Sequence, residues 1–132
     1  MSHALVNTIL LSETPDDTWK KIKPAVTDPL KARKGDPGRP EVCLVYTYHQ
    51  KWNPLEIADI HAGCSSGALG CVDCKKNVNE KINVAFTPIR EKRIELEADI
   101  SRVVKIIESG EERARQTAGE TMRDVRDAMK FG

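Results

Sequence analysis

The sequence predicts an all-α protein, with short helices at its front and two long helices at its back. Three observations carry that prediction. The second half repeats apolar residues at helical spacing: first Val78, Ile82, Ala85, Phe86 and Ile89, then Ile100, Val103, Val104, Ile107, Ala114, Ala118, Met122, Val125 and Met129. Helix-start and helix-stop residues punctuate the first half. Four cysteines, Cys43, Cys64, Cys71 and Cys74, are spaced C-x20-C-x6-C-x2-C with no fifth left over. The helices are expected to form a bundle around a metal site made by those cysteines, where front meets back.

Residues 1–40 read as an arm, a short helix and a basic linker, and residues 41–132 as the helical domain that carries the cysteines. In the arm, Thr8-Ile-Leu-Leu11 is a short strand or an arm that packs against a surface missing from this chain. Thr14-Pro-Asp-Asp17 is a helix start, with a hydroxyl cap, proline at the first helical position and acids in the first turn. The helix passes through Trp19 and Ile22 and stops near Lys23-Pro24, because proline lacks a donor and restricts its predecessor.

Asp28-Pro29, Asp36-Pro-Gly38 and Arg39-Pro40 mark a loop that Lys31, Arg33, Lys34 and Arg39 make basic, either a solvated connector or a phosphate-contacting segment. A helix over Glu41–Lys51 would carry Cys43 and turn Val42, Val45 and Tyr46 inward. Asn53-Pro54 opens another short helix, with Leu55, Ile57, Ala58 and Ile60 apolar and Gly63 at its end. Gly67-Ala-Leu-Gly70 lets the chain fold tightly back, so that Cys71 faces Cys64. The first long helix then starts at Cys71, with Pro88 a point of kinking or loosening. Asp99 caps the second, which runs from about Ile100 to Met129.

Four thiolates gathered in this way hold one tetrahedral metal or one cubane cluster. No apolar leader stands at the start, so the reducing cytoplasm is the expected compartment and disulfides are disfavoured. Structural zinc sites commonly pair two short C-x2–4-C units. Here there is one such unit and two single cysteines, a pattern that leans towards [4Fe–4S], with one structural zinc as the alternative. Placed in a first helical turn, Cys71 and Cys74 are expected to gain thiolate character from the helix dipole. Lys75 and Lys76 follow directly, as charge compensation or as a solvated face.

The net charge of +1 argues against a generic nucleic-acid coat without excluding a local basic face. No run approaches the roughly 20 apolar residues of a membrane span. His3, His49 and His61 have no triad or metal spacing, and there is no glycine-rich phosphate cradle.

The runs Leu69-Gly-Cys-Val-Asp-Cys-Lys-Lys76, Thr87-Pro-Ile-Arg-Glu-Lys-Arg93, Glu112-Arg-Ala-Arg-Gln-Thr-Ala118 and Glu120-Thr-Met-Arg-Asp-Val-Arg-Asp-Ala-Met129 resemble the C-terminal helical, anticodon-binding domain of bacterial tryptophanyl-tRNA synthetases. Lys21-Ile-Lys-Pro-Ala-Val-Thr-Asp-Pro29 and Asp36-Pro-Gly-Arg-Pro-Glu41 resemble the segment that joins that family's catalytic and helical domains. Asn7-Thr-Ile-Leu-Leu-Ser12 resembles the stretch after its KMSKS loop. The resemblance spans essentially the whole chain. It implies the family's four-cysteine [4Fe–4S] subtype, whose last three ligands match the spacing here and whose first interval is longer by two residues.

The family's Rossmann-type catalytic domain, with its ATP and tryptophan sites, has no counterpart in these residues. Met1-Ser-His-Ala4 stands where KMSKS is expected, with His3 and Ala4 replacing its second lysine and serine. The implied protein is therefore not an enzyme on its own. It binds an iron–sulfur cluster and retains tRNA (anticodon) contact through Lys75, Lys76, Arg90, Lys92 and Arg93, with Tyr46, Tyr48, His49 and Trp52 as stacking surfaces. Two alternatives stand beside it. One is a repurposed cluster protein for electron transfer or for redox or iron sensing with a partner protein. The other is a fragment or docking subunit of a tryptophan–tRNA ligase, with Ile9, Leu10 and Leu11 covering a protein surface.

Overall fold

The Thr14 hydroxyl accepts the Asp17 amide at 3.2 Å and donates to the Asp17 carboxylate at 2.7 Å, and α1 (Pro15–Ile22) grows from that cap. It ends at Lys23, as Pro24 requires. A computed structural model describes residues 8–130 and consists of helices and connecting loops, with no strand among the described residues. Met1-Ser-His-Ala4, read as an altered KMSKS segment, lies outside the described residues, as does Asn7. After α1 come α2 (Leu44–Trp52), α3 (Ile57–Ser65), α4 (Cys71–Ala98) and α5 (Ile100–Met129). Single 3-10 turns, Pro40–Val42 and Pro54–Glu56, lead into α2 and α3.

The chain divides into two compact units, Met1–Glu91 and Lys92–Gly132. The core of the first is Ile22 from α1, Cys43 and Val45 from the start of α2, and Val78, Ile82 and Phe86 from α4. The three α4 residues follow an i, i+4, i+8 stripe, so one face of a long helix supplies half the core. Each such buried aliphatic side chain contributes about 1.5–3 kcal/mol. Ile9 packs on this cluster, whereas Leu10 and Leu11 are exposed.

Three local expectations are corrected. Cys43 is the extended N-cap of α2 rather than a residue inside a helix, because Pro40 starts a 3-10 turn that closes before it. Val42 and Leu55 sit on the 3-10 turns and face solvent, Leu55 almost completely. Gly63 does not stop α3, which continues through Cys64 to Ser65 and turns at Gly67. Pro88 stays inside α4, which runs unbroken around it.

The second unit is built from the end of α4 and from α5. The Asp99 carboxylate accepts the Arg102 amide at 3.0 Å and caps α5. The apolar stripe of α5 is present at its expected spacing, but none of its residues is buried.

Candidate metal centre

Each cysteine reaches the site from a different structural position. Cys43 is delivered by the 3-10 turn that precedes α2. Cys64 stands in the last turn of α3, Cys71 opens α4, and Cys74 lies three residues further on. All four are free thiols. They line one small cavity together with Thr27, Lys31 and Leu69. Among the described residues, no three Cys, His, Asp or Glu side chains form a group that could hold a metal ion as they stand.

The basic loop 28–39 forms a wall of that space, a placement its composition does not reveal. Asp28 is its anchor. Its carboxylate accepts the Arg39 guanidinium at 2.7 and 3.1 Å and the amides of Leu30 and Arg39 at 3.0 and 2.9 Å. The Arg39 contacts hold this carboxyl well below the usual range. Lys31 is buried, and its ammonium donates to the Asp36 carbonyl at 2.6 Å and the Cys64 carbonyl at 3.3 Å. The Gly38 amide donates to the same Cys64 carbonyl at 2.9 Å.

Only glycine fits at two points of this closure. A Cβ on Gly38 would lie 2.7 Å from Cys64 Sγ and 2.9 Å from Lys31 Cδ. Gly67 has φ +83°, and a Cβ there would lie 2.2 Å from the Gly35 carbonyl oxygen. The sequence reading found the Gly67 turn but missed Gly38, whose constraint comes from a residue 26 positions away in the chain.

Behind Cys74 stands His49, fully buried. Its Nε2 lies 3.1 Å from the Cys74 carbonyl oxygen and 3.3 Å from Cys74 Sγ, while Nδ1 faces Asn53 Nδ2 at 3.3 Å. Burial lowers the His49 pKa, with the Cys74 carbonyl opposing the shift. The helix-dipole expectation fails at Cys74. Burial first, and then the neighbouring cysteines, push its thiol up to about 12. Burial also raises Cys64, with Lys31 opposing the shift.

The other site residues are distributed differently. Lys75 donates to the Lys23 carbonyl at 2.7 Å, and Lys76 is exposed on α4. Arg90 is an internal strut: its guanidinium donates to Asn83 Oδ1 at 2.7 Å and Thr18 Oγ1 at 2.9 Å, and lies 5.5 Å over the Phe86 ring. Lys92 pairs with Glu95 and Arg93 with Glu97, both pairs exposed. Of the aromatic residues named as stacking surfaces, Trp52 packs edge-on against Phe86, and Tyr46 and Tyr48 pack on the core. A second cavity, of about 210 Å³, is walled by Arg33, Lys34 and the opening residues of α4.

A helical chain that gathers four thiols beneath a basic loop matches a family of RNA-charging enzymes. The profile of tRNA synthetases class I (W and Y) covers residues 1–87, including all four cysteines, and the chain belongs to that family. The similar full-length proteins are tryptophan–tRNA ligases. That of Aquifex aeolicus is 37% identical over 99% of this chain and 34% of its own length. Those of Deinococcus radiodurans and Thermotoga maritima are 37% and 35% identical, each aligned over 40% of its own length. The tryptophanyl-tRNA synthetase of Campylobacter jejuni, solved with ADP and tryptophan, superposes with a TM-score of 0.82 at 26% identity. That superposition covers 98% of this chain and 40% of the synthetase. The chain thus spans little more than a third of the length of the relatives it matches. Among the described residues, no helix is long and apolar enough to cross a membrane.

Proposed function

We propose that this chain is an iron–sulfur-binding, tRNA-contacting helical module of the tryptophan–tRNA ligase type, and that its part is RNA contact and not acyl transfer. One observation carries the metal half of the reading: thiols from three separate segments line a single cavity with a buried lysine beside them. One short C-x2-C unit with two single cysteines favours a multi-atom cluster over one zinc ion, whose structural sites commonly pair two short units.

Cys43, Cys64, Cys71 and Cys74 would hold the group, and the Lys31 ammonium would offset part of its negative charge. With every iron capped by a cysteine, such a cluster supplies structural cross-linking or electron storage. It has no vacant iron for a substrate.

The RNA half rests on the identity to tryptophan–tRNA ligases along 99% of the chain. Lys76, Lys92 and Arg93 offer exposed cationic ends, and Arg33 and Lys34 wall a cavity beside the start of α4. Side chains of this kind engage phosphates and unpaired bases. We place the full-length relatives' partner, tRNA for tryptophan, as the RNA bound.

The test starts with anaerobic purification and iron, sulfide and zinc analysis of one sample. Roughly four irons and four sulfides per chain, with broad absorption in the visible, support the cluster. One zinc and no colour overturns it. Fluorescence anisotropy with labelled tRNA for tryptophan, against a copy with an altered anticodon, tests the RNA reading. Equal affinity for the two sinks anticodon recognition, and no binding to either sinks RNA contact.

A further inference from the structure

The chain of hydrogen bonds behind Cys74 has a direction that runs inward from the surface. Lys81 Nζ donates to Glu56 Oε1 at 2.5 Å, so the carboxylate is charged and can only accept. Its other oxygen accepts Asn77 Nδ2 at 3.1 Å and Asn53 Nδ2 at 3.0 Å. Those contacts fix both amide orientations. The Asn77 carbonyl oxygen therefore faces Asn53 Nδ2, at 3.0 Å, and also accepts. The two Asn53 NH2 hydrogens are shared among Glu56, Asn77 and His49 Nδ1; a hydrogen on Nδ1 would face a nitrogen that cannot accept, so the geometry favours the hydrogen on Nε2. That Nε2–H is the group aimed at Cys74, between carbonyl oxygen and sulfur. Among the described residues, no other of the four sulfurs has a side-chain donor.

We propose that His49 is the sulfur-directed positioning residue of the four-cysteine site: an imidazole locked by Asn53 in its Nε2–H form, which donates to the Cys74 sulfur and raises the reduction potential of the cluster held there. The proposal rests on the iron–sulfur reading above. A one-electron reduction adds negative charge that spreads onto the thiolate sulfurs. A fixed donor to one sulfur therefore stabilises the reduced state more than the oxidised one. His49 and Asn53 are both buried, so solvent does not screen this bond or supply a substitute donor. A purely architectural histidine would need only the Cys74 carbonyl, and its loss would leave the potential where it was.

The experiment is an anaerobic dye-mediated titration of the full chain, with dithionite as electron donor. It compares wild type, His49→Leu, His49→Gln and Asn53→Ala after iron and sulfide have been counted in each. His49→Leu is expected to keep its metal content and to shift the oxidised-to-reduced ratio about tenfold at a given potential, a fall of about 59 mV for one electron. Gln retains an N–H and should fall less. Asn53→Ala keeps the ring but releases its tautomer, and should fall in the same direction. It also carries the test if His49→Leu does not fold by circular dichroism. Potentials equal to wild type in variants with full iron overturn the proposal and leave the cluster reading intact. A wild-type protein that takes up no iron and sulfide defeats the cluster reading, and this inference with it.

Discussion

The Lys31 ammonium donates to the Cys64 carbonyl across 33 positions of sequence, while its stem lies against the face of Gly38 that looks onto Cys64 Sγ. One side chain therefore ties the basic loop to the end of α3 and brings a positive charge to the wall of the thiol cavity. Replacing it with methionine keeps the stem and removes the donor. Hydrogen bonds to charged groups are worth about 1.5–3 kcal/mol, so Lys31→Met should lower stability by about 2 kcal/mol in urea unfolding. Trypsin should also cut faster at Arg33 and Lys34. An unchanged midpoint would mean that the loop holds without the lysine.

Glycine substitutions should separate by position. Gly38→Ala forces a methyl group to within 2.7 Å of Cys64 Sγ, an overpacking worth about 1–3 kcal/mol. Gly67→Ala meets backbone at positive φ and should be worse than Gly38→Ala. Gly119→Ala lies in α5 with nothing near the new methyl, and should raise stability by up to about 1 kcal/mol. Thermal melts of the three variants give the ranking. Equal losses at Gly38 and Gly119 would contradict the close approach at Cys64.

The cationic residues read from the sequence as RNA contacts should also divide. Arg90→Gln breaks bonds to Thr18 and Asn83 and should cost about 1–3 kcal/mol of stability. Lys92→Gln and Arg93→Gln disrupt only exposed pairs with Glu95 and Glu97, and should stay within about 0.5 kcal/mol. If these two contact phosphate, their loss weakens tRNA binding and reduces the salt slope by about one per contact. Arg90→Gln, measured where it remains folded, should leave that slope unchanged.

Stability should fall in acid, and the sign follows from Asp28 and Glu56. Arg39 and two backbone amides hold Asp28 well below its ordinary value near 3.8, and Lys81 with Asn53 and Asn77 holds Glu56 at about 2. The folded state therefore binds these protons less readily than the unfolded chain. Their contribution is complete above about pH 4.5 and is lost as pH falls towards the folded values. Denaturant midpoints from pH 7 to pH 2.5 should decline below pH 4.5, and Asp28→Asn should flatten part of that decline. A midpoint independent of pH in this window would remove both carboxylates from the account.

Cys74 titrates with the opposite sign. Its pKa is raised, so in the metal-free protein its contribution is complete below the ordinary thiol value near 9 and is lost as pH rises towards 12. Metal loading should release protons at neutral pH, measurable in weakly buffered solution as acidification that Cys74→Ser reduces. Loading without proton release would mean that the thiols are already ionised.

Much of this molecule was determined by sequence alone, because the signals are local. Thr14 with Pro15 starts α1, Asp99 starts α5, and the Val78, Ile82 and Phe86 stripe names the α4 core; each is decided by neighbours within a turn or two of the same helix. The four cysteines were legible as one set because thiols at that spacing have few other uses. Tertiary structure decided what depends on distant partners. It turned Leu55 and Val42 outward, made Cys43 a cap, and converted Arg90 from a surface cation into a strut against Thr18, 72 positions away. It also folded a loop that reads as a solvated connector into a wall beside Cys64, and set His49 behind Cys74 across 25 positions. Periodicity and capping report the energetics of one helix at a time. Burial, charge compensation and hydrogen-bond direction are properties of groups that meet only when the chain closes on itself.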